Sequence, residues 1–366
     1  MSLPENEFKK GWKHWLNRNE SEAKECFIRS LEVADGSLKS KAFDSAAFML
    51  MRETSDPKQL EDFIENYQSM PTYPSFKASL ALYAGDIDLM LAHSLKCPKK
   101  YDHNQMGPWQ RGSVTLYKKA HNSIDLKKRA EFEPLRDNSD TNFACIFSAD
   151  SNYFIRFAEM NIQSFRNFHN DGLLVYHIVN PNIEALTLAA KLSSYHPNVR
   201  ITTNSIHNAQ KADFAAARFF AAREVLQNKS IEHLFIFDID LVFTQSIKNV
   251  LSEKWDYSKV GLRVSPILTL PWQKVTVNFV FIPANNIGHS FLEDMTSFLD
   301  YELNQAHKGD IWWVDQNAAL FAFLQISNNE WQNWAEKSKM LAAIPKLHED
   351  RDSFLKQSFI ENRFNN

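Results

Sequence analysis

The sequence predicts a mixed α/β protein, in which a mostly parallel sheet with helices on both faces follows an all-α helical domain. Residues 5–95 repeat apolar side chains at intervals of three and four, which is the period of an amphipathic helix. From residue 143 onward, apolar runs alternate with helical segments in the order β-α-β-α-β-α-β, which is typical of a parallel sheet. We predict a helical domain at 1–125, a charge-dense linker at 126–141 and an α/β domain at 142–366.

The composition is that of an ordinary globular protein, with 366 residues, 44% of them apolar and 23% charged. A net charge of −3 provides no positive field for nucleic acid, so no nucleic-acid partner is expected. The N-terminus lacks an apolar signal segment, and no run approaches the ~18 apolar residues of a membrane span. Three widely separated cysteines, Cys26, Cys97 and Cys145, argue against a disulfide framework or a zinc site. We therefore expect a cytoplasmic protein without a transmembrane segment.

The helical domain contains one segment with the pattern of a tetratricopeptide helix pair. Gly11, Ala23 and Phe27 match the small and aromatic positions of that motif. Only one repeat is clear, so a TPR-like domain and a generic helical bundle are equally good interpretations.

The α/β domain begins with apolar runs that we predict to be strands, each followed by a helical pattern. They lie at 143–149, 173–179, 199–204 and 233–243, and two further strands are predicted at 260–266 and 276–283. Ligands of such sheets bind at the carboxyl ends of the strands. We therefore expect the chemistry at 148–153 and at 238–240.

The strongest chemical signal is a pair of carboxylates, Asp238 and Asp240, after the apolar run 234–237. In a continuous strand, residues i and i+2 lie on one face. Two anions placed there repel each other and lose hydration, which is costly without a cation. Oxygen ligands suit Mg²⁺ or Mn²⁺, and such an ion stabilises charge on a departing diphosphate. Because acids are common at strand ends, a purely structural role is the alternative.

Residues 143–321 resemble the nucleotide-sugar glycosyltransferases of the GT-A fold, in particular glycosyltransferase family 8. Four segments carry the resemblance in the family's order: FSADSNY (147–153), ARF (217–219), FDIDLV (237–242) and WVDQNAAL (313–320). The resemblance implies a retaining, metal-dependent hexosyltransferase that uses a nucleoside diphosphate sugar, UDP-linked in this family. It also implies a glycan or glycolipid acceptor, and a protein partner for the helical domain is a further expectation.

The resemblance also implies roles for individual residues. Tyr153 would stack on the nucleobase, Arg218 would bind phosphate or hold the acid pair, and Asp315 and Gln316 would face the transferred sugar. The residues implied in donor binding are Ser148, Ala149, Asp150, Asn152, Tyr153, Arg218, Asp238, Ile239, Asp240 and Asn278. Plain turn or core-packing roles remain the alternatives for Asp150, Asn152 and Tyr153.

The sequence departs from the family in two places. The family's Asn-Ala-Gly-Val strand is represented by Asn278-Phe279-Val280-Phe281, so a phenylalanine replaces a small residue near the donor. The family's third metal ligand is a C-terminal histidine, for which His348 is the candidate, without the glycine and proline that follow it in the family. A solvent-exposed histidine is the alternative for His348, and Lys356 is a further candidate for contact with the diphosphate.

Two other classes of protein remain open. Haloacid-dehalogenase-type phosphatases also place Asp-x-Asp after an apolar strand and use the first Asp as nucleophile. In them, however, the motif opens the domain, whereas three strand-helix pairs precede Asp238 here, and Leu241 stands where they have a small residue. The second alternative is a non-catalytic helical scaffold beside a degenerate transferase domain.

Overall fold

The structure is a computed structural model, and it describes residues 2–54, 56–97, 141–169, 171–251, 255–305, 314–336 and 342–343. The chain divides into two compact units. The first combines Met1–Lys118, Ser265–Lys274 and Lys308–Asn317, and the second combines Lys119–Val264, Val275–His307 and Ala318–Asn366. The predicted linker at 126–141 lies, except for Thr141, outside the described residues, so the predicted domain boundaries stay a prediction.

The helical region predicted at the start of the chain is present. Its helices are α1 (Leu3–Leu16), α2 (Glu20–Val33), α3 (Gly36–Glu53), α4 (Pro57–Glu65), α5 (Tyr73–Tyr83) and α6 (Ile87–Ser94). Each of them packs against the next one along the chain. Gly11 allows α1 and α2 to approach closely, because a Cβ at this position would lie 2.6 Å from the Phe27 ring. The tetratricopeptide interpretation stays a prediction.

The second unit contains a mixed sheet and its helices. The strands are β1 (Phe143–Ala149), β2 (Leu173–Val179), β3 (Val199–Asn204), β4 (His233–Phe237), β5 (Val242–Phe243), β6 (Val260–Val264), β7 (Val275–Pro283), β8 (Trp331–Asn333) and β9 (Ala342–Ala343). The helices are α7 (Ser151–Arg166), α8 (Ile183–Tyr195), α9 (Lys211–Val225), α10 (Ile247–Val250), α11 (Asn286–Gln305) and α12 (Val314–Phe323), of which α12 begins with residues of the first unit.

The main sheet has the strand order β3-β2-β1-β4-β7-β6-β8. Strands β3, β2, β1 and β4 are mutually parallel, β7 is antiparallel to β4 and β6, and β8 is parallel to β6. Helix α7 contacts β1 and β2 and packs on α8, whereas α9 contacts β1, β2 and β4 and packs on α11. From β1 to β3 the chain adds strands toward one edge of the sheet, and it then returns to place β4 on the other side of β1. Because such crossovers are right-handed, this reversal places α9 on the face opposite α7 and α8. The predicted fold class is therefore confirmed.

The prediction of a single strand at 233–243 is wrong, because this segment forms the two short strands β4 and β5. Strand β4 ends at Phe237, Ile239 and Asp240 form a turn, and β5 pairs with β9 in a separate small sheet. Ile239 and Leu241 are 5% and 6% exposed and join the aromatic core, which draws the chain out of the main sheet. The rule that places i and i+2 on one strand face therefore does not apply to the acid pair.

Much of the phenylalanine excess lies in the core of the α/β unit. The Phe147 ring stacks on the rings of Tyr176 and Phe237 at centroid distances of 5.0 and 5.7 Å. Cys26, Cys97 and Cys145 are buried free thiols. Among the described residues, no helix combines the length and apolarity needed to cross a bilayer.

One buried histidine makes the stability of this unit sensitive to acid. His169 is 4% exposed, and its Nε2 accepts a hydrogen bond from the backbone N–H of Ile247 at 3.1 Å. Burial lowers the pKa of His169 to about 4, whereas an unfolded histidine titrates near 6.5. As the pH falls between these two values, the unfolded state binds a proton that the folded state does not. Stability is therefore lost by up to about 1.4 kcal/mol per pH unit.

We expect His169→Gln to reduce this acid sensitivity, because glutamine keeps a hydrogen-bond acceptor and does not titrate. The measurement is the free energy of unfolding in urea at pH 8, 7, 6 and 5. The difference in unfolding free energy between the two proteins should be constant at pH 8 and 7. Below pH 7 the parent protein should lose stability faster than the variant. His177, whose burial also lowers its pKa to about 4, keeps its own contribution in the variant. An unchanged slope between pH 7 and 5 would refute this role of His169.

Candidate functional site

The first predicted segment follows strand β1 at the carboxyl edge of the sheet. Ser148 is 6% exposed, and its hydroxyl donates to the carbonyl of Phe214 on α9 at 2.7 Å. Ala149 is buried as well. Asp150 caps α7, because its Oδ1 accepts the N–H of Tyr153 at 2.8 Å. These contacts hold the end of β1 against α9 and start the next helix.

Two further residues of this segment lie in the first turn of α7 and have accessible side chains. Asn152 is exposed, and Tyr153 is half-buried with its ring centroid 5.5 Å from that of Phe157. Both therefore present polar or aromatic surface beside the end of β1. A base-binding role for them is compatible with this position.

The acid pair lies where the strand order reverses. Strand β4 lies beside β1, and the two pair in parallel as far as Ile236 and Ile146. The chain then turns through Asp238, Ile239 and Asp240, of which both acids are half-buried and Ile239 is buried. Crevices at such switch points are the usual ligand sites of open α/β sheets. The topology thus places the acid pair next to the segment 148–153.

Arg218 of α9 holds the first acid. Its guanidinium is buried and its Nη1 lies 2.9 Å from Oδ1 of Asp238, whose side chain remains 37% exposed. Its Nη2 donates to the carbonyl of Val277 on β7 at 3.4 Å, and its Cζ lies 4.9 Å from the centre of the Phe219 ring. Arg218 and Asp238 thus form an ion pair at the end of β4.

A second arginine at this edge was missed by the sequence reasoning. Arg263 lies near the carboxyl end of β6, and its Nη1 donates to Oδ1 of Asn278 on β7 at 2.7 Å. The carbonyl of Asn278 in turn accepts the backbone N–H of Asp238 at 3.3 Å. The signal that could have identified Arg263 is its charge inside the otherwise apolar strand Val260–Val264.

Charged side chains at or just after the carboxyl ends of β4, β6 and β8 influence one another. Burial lowers the pKa of Arg263, and the charges of Glu336 and Asp238 oppose that shift. Glu336 is exposed and follows β8, which runs parallel to β6. The carboxyl ends of these strands thus bring charges of both signs to one edge of the sheet.

Asp315 and Gln316 begin helix α12. They are 9% and 6% exposed, and Oδ1 of Asp315 accepts the N–H of Gln316 at 2.9 Å. Both are counted in the first compact unit, whereas the acid pair belongs to the second. Their predicted role towards the transferred sugar stays a prediction. The predictions for His348 and Lys356 fall outside the described residues.

The oxygen atoms at this edge suit a hard divalent cation. Within the described ranges, no group of three or more histidine, cysteine, aspartate or glutamate side chains could hold a metal ion. Mg²⁺, however, is commonly bound by one or two carboxylates together with substrate phosphates and water. Asp238 and Asp240 supply two carboxylates of the appropriate kind, although one oxygen of Asp238 already contacts Arg218.

No protein-family model and no curated protein matches this sequence. Three glycosyltransferases are among the solved structures that resemble part of it. The apo structure of WbbM, a bifunctional glycosyltransferase, has a TM-score of 0.37 at 17% identity over 51% of this chain and 39% of WbbM. The galactosyltransferase LgtC, in complex with donor and acceptor sugar analogues, has a TM-score of 0.36 at 13% identity over 49% of this chain and 70% of LgtC.

The third is the glycosyltransferase GlyE of Streptococcus pneumoniae TIGR4, with a TM-score of 0.36 at 13% identity over 61% of this chain and 51% of GlyE. The chain thus spans less than two thirds of the length of WbbM and of GlyE. Similarity at such TM-scores identifies neither the fold nor the activity of this chain.

Proposed function

We propose that this protein is a glycosyltransferase that transfers a hexose from a nucleoside diphosphate sugar, UDP-linked, to an acceptor hydroxyl. The observation that carries the proposal is the acid pair at the switch point of the sheet, with Asp238 already held by the buried Arg218. A carboxylate fixed beside a crevice is suited to orient a cation and a diphosphate. The four family-like segments in the sequence support the same assignment.

In this proposal Asp238, Asp240 and His348 would hold Mn²⁺ or Mg²⁺. When bound, such an ion stabilises the negative charge that develops on a departing diphosphate. Arg218 keeps Asp238 in place during binding, because its guanidinium is itself fixed by the carbonyl of Val277. Asn152 and Tyr153 would contact the nucleobase at the start of α7.

The sugar would lie near Asp315 and Gln316, which would hydrogen-bond its hydroxyls. We propose retention of the anomeric configuration, with the diphosphate taking the acceptor proton while Gln316 steadies the transient positive charge. Anomeric analysis of the product tests this step, since an inverted linkage would reject it. The acceptor would be a glycan or glycolipid, and the helical unit would orient it or bind a partner protein.

The phosphatase alternative is less well supported. Strands β1, β2 and β3 with their helices precede β4, so the Asp-x-Asp turn does not open this domain. Release of phosphate from a chromogenic monoester would favour the alternative.

The test is a thermal-shift panel of nucleotide sugars with Mn²⁺, with Mg²⁺ and with a chelator. A UDP-sugar with metal should stabilise the protein by about 2.7 kcal/mol at a hundredfold excess over Kd. Asp240→Asn should lose the metal-dependent part of this shift, because one of the two carboxylates is neutralised. Thr244→Ala, an exposed change four residues further along, is the matched control and should keep the shift. Equal shifts with and without metal would contradict the metal-dependent proposal.

A further inference from the structure

The guanidinium of Arg263 has hydrogen-bonding capacity that the described residues do not use. Its Nη1 donates to Asn278, whereas its Nη2 donates to no group among the described residues. An arginine presents a planar fork of donors that fits phosphate oxygens in pairs. Unlike Arg218, it forms no ion pair with a carboxylate among the described residues.

Two contacts define the position of Arg263. Its Cζ lies 5.7 Å from the centre of the Phe279 ring, a distance at which a guanidinium is attracted to an aromatic face. Asn278 bridges it to the turn of the acid pair, since the Asn278 side chain accepts from Arg263 and its carbonyl accepts from Asp238. Arg263 is thus a positive charge fixed beside Asp238, on a strand rather than on a loop.

The balance of charge indicates what this arginine would bind. A diphosphate and the carboxylates of Asp238 and Asp240 bring more negative charge than one divalent cation and Arg218 neutralise. Arg263 adds a positive charge at this edge, which restores the balance. Glu336 is exposed, so its opposing charge is screened by water.

We propose that Arg263 binds the diphosphate of the donor directly, as a specificity-determining residue for the diphosphate group. This inference rests on the proposed function. It adds a positively charged side chain to which the family resemblance assigns no role. Asn278 then orients Arg263, and Phe279, which replaces a small residue of the family pattern, supports the guanidinium from the side.

The experiment compares the binding of UDP and of uridine to the parent chain and to Arg263→Gln in the presence of Mg²⁺. Isothermal titration measures the affinity for UDP, and ligand-observed NMR measures the affinity for uridine. Charge-assisted hydrogen bonds of this kind correspond to roughly 10- to 100-fold in affinity. We expect the affinity for UDP to fall by about that factor while the affinity for uridine stays within about twofold.

Arg223→Gln is the matched control, because Arg223 is also a half-buried arginine of this unit but contacts Glu224 and Thr296, away from the acid pair. It should leave the affinity for UDP unchanged. If Arg263→Gln does not fold, Arg263→Lys carries the same comparison. Lysine keeps the charge without the planar fork and should weaken UDP binding by about three- to tenfold.

Unchanged UDP binding in the Arg263 variants, or an equal loss for UDP and uridine, would overturn the assignment of Arg263. Failure of the parent chain to bind UDP at all is a different result. It would overturn the proposed function itself.

Discussion

If the protein performs the proposed sugar transfer, replacing Arg218 with methionine is expected to lower its rate by about 100- to 1,000-fold, the effect typical of removing a fixed electrostatic contact in an active site. The buried guanidinium holds Asp238 through a contact of 2.9 Å and is itself held by the carbonyl of Val277. Methionine fills a similar volume but leaves Asp238 without this partner. The carboxylate would then take other orientations and would hold a cation less well.

The same substitution should also destabilise the fold, by about 2 kcal/mol. Removing one partner of a fully buried ion pair costs about 3–5 kcal/mol, but the Asp238 side chain is 37% exposed and remains partly hydrated. Urea unfolding measures this cost, and turnover of the nucleotide sugar at saturating metal measures the rate.

Arg223→Met provides the matched control for both measurements. Arg223 lies on the same helix and contacts Glu224 at 3.2 Å and Thr296 at 3.0 Å. Its loss should cost about 1 kcal/mol of stability and leave the rate of transfer unchanged. If both variants slowed turnover to the same extent, the rate effect would reflect general loosening of α9, and the specific role of Arg218 would be rejected.

Gly288→Ala is expected to destabilise the α/β unit by about 3 kcal/mol or more, at the upper end of the cost of overpacking. A Cβ at Gly288 would lie 2.0 Å from the carbonyl oxygen of Pro283 and 2.9 Å from Cγ2 of Ile282. The obstructing oxygen belongs to the backbone at the end of β7, so no side-chain rotation relieves the contact. Helix α11 would have to move away from β7.

Ser290→Ala is the control for this substitution, because Ser290 is an exposed residue on the same helix. Exposed changes of this kind usually alter stability by less than about 0.5 kcal/mol. The measurement is the urea concentration at the midpoint of unfolding, with the dependence of the unfolding free energy on urea concentration unchanged. A midpoint for Gly288→Ala equal to that of Ser290→Ala would show that α11 adapts to the added methyl group without cost.

The first three strands could be predicted from the sequence at the residue level. The runs at 143–149, 173–179 and 199–204 coincide with β1, β2 and β3. Strands of a parallel sheet covered on both faces form continuous apolar runs bounded by turns. The local pattern of apolar residues is therefore sufficient to predict the bounds of these three strands.

The parts that could not be predicted depend on contacts between distant segments. The run at 233–243 looks like one strand, and its division depends on Ile239 and Leu241 packing in the core and on β5 pairing with β9. Arg263 was missed because its relation to Asp238 depends on β7 lying between β4 and β6. Apolar runs do not specify which strands become neighbours.

Under the proposed function, the ion pair between Arg218 and Asp238 would also raise the affinity for the donor. A flexible carboxylate loses rotational freedom when it captures a ligand, and that loss weakens binding. Because Arg218 orients the Asp238 side chain when the polypeptide folds, an incoming donor would meet an acid that already has its orientation. Affinity at this position is thereby linked to the integrity of α9 and β7, the elements that keep the guanidinium in place.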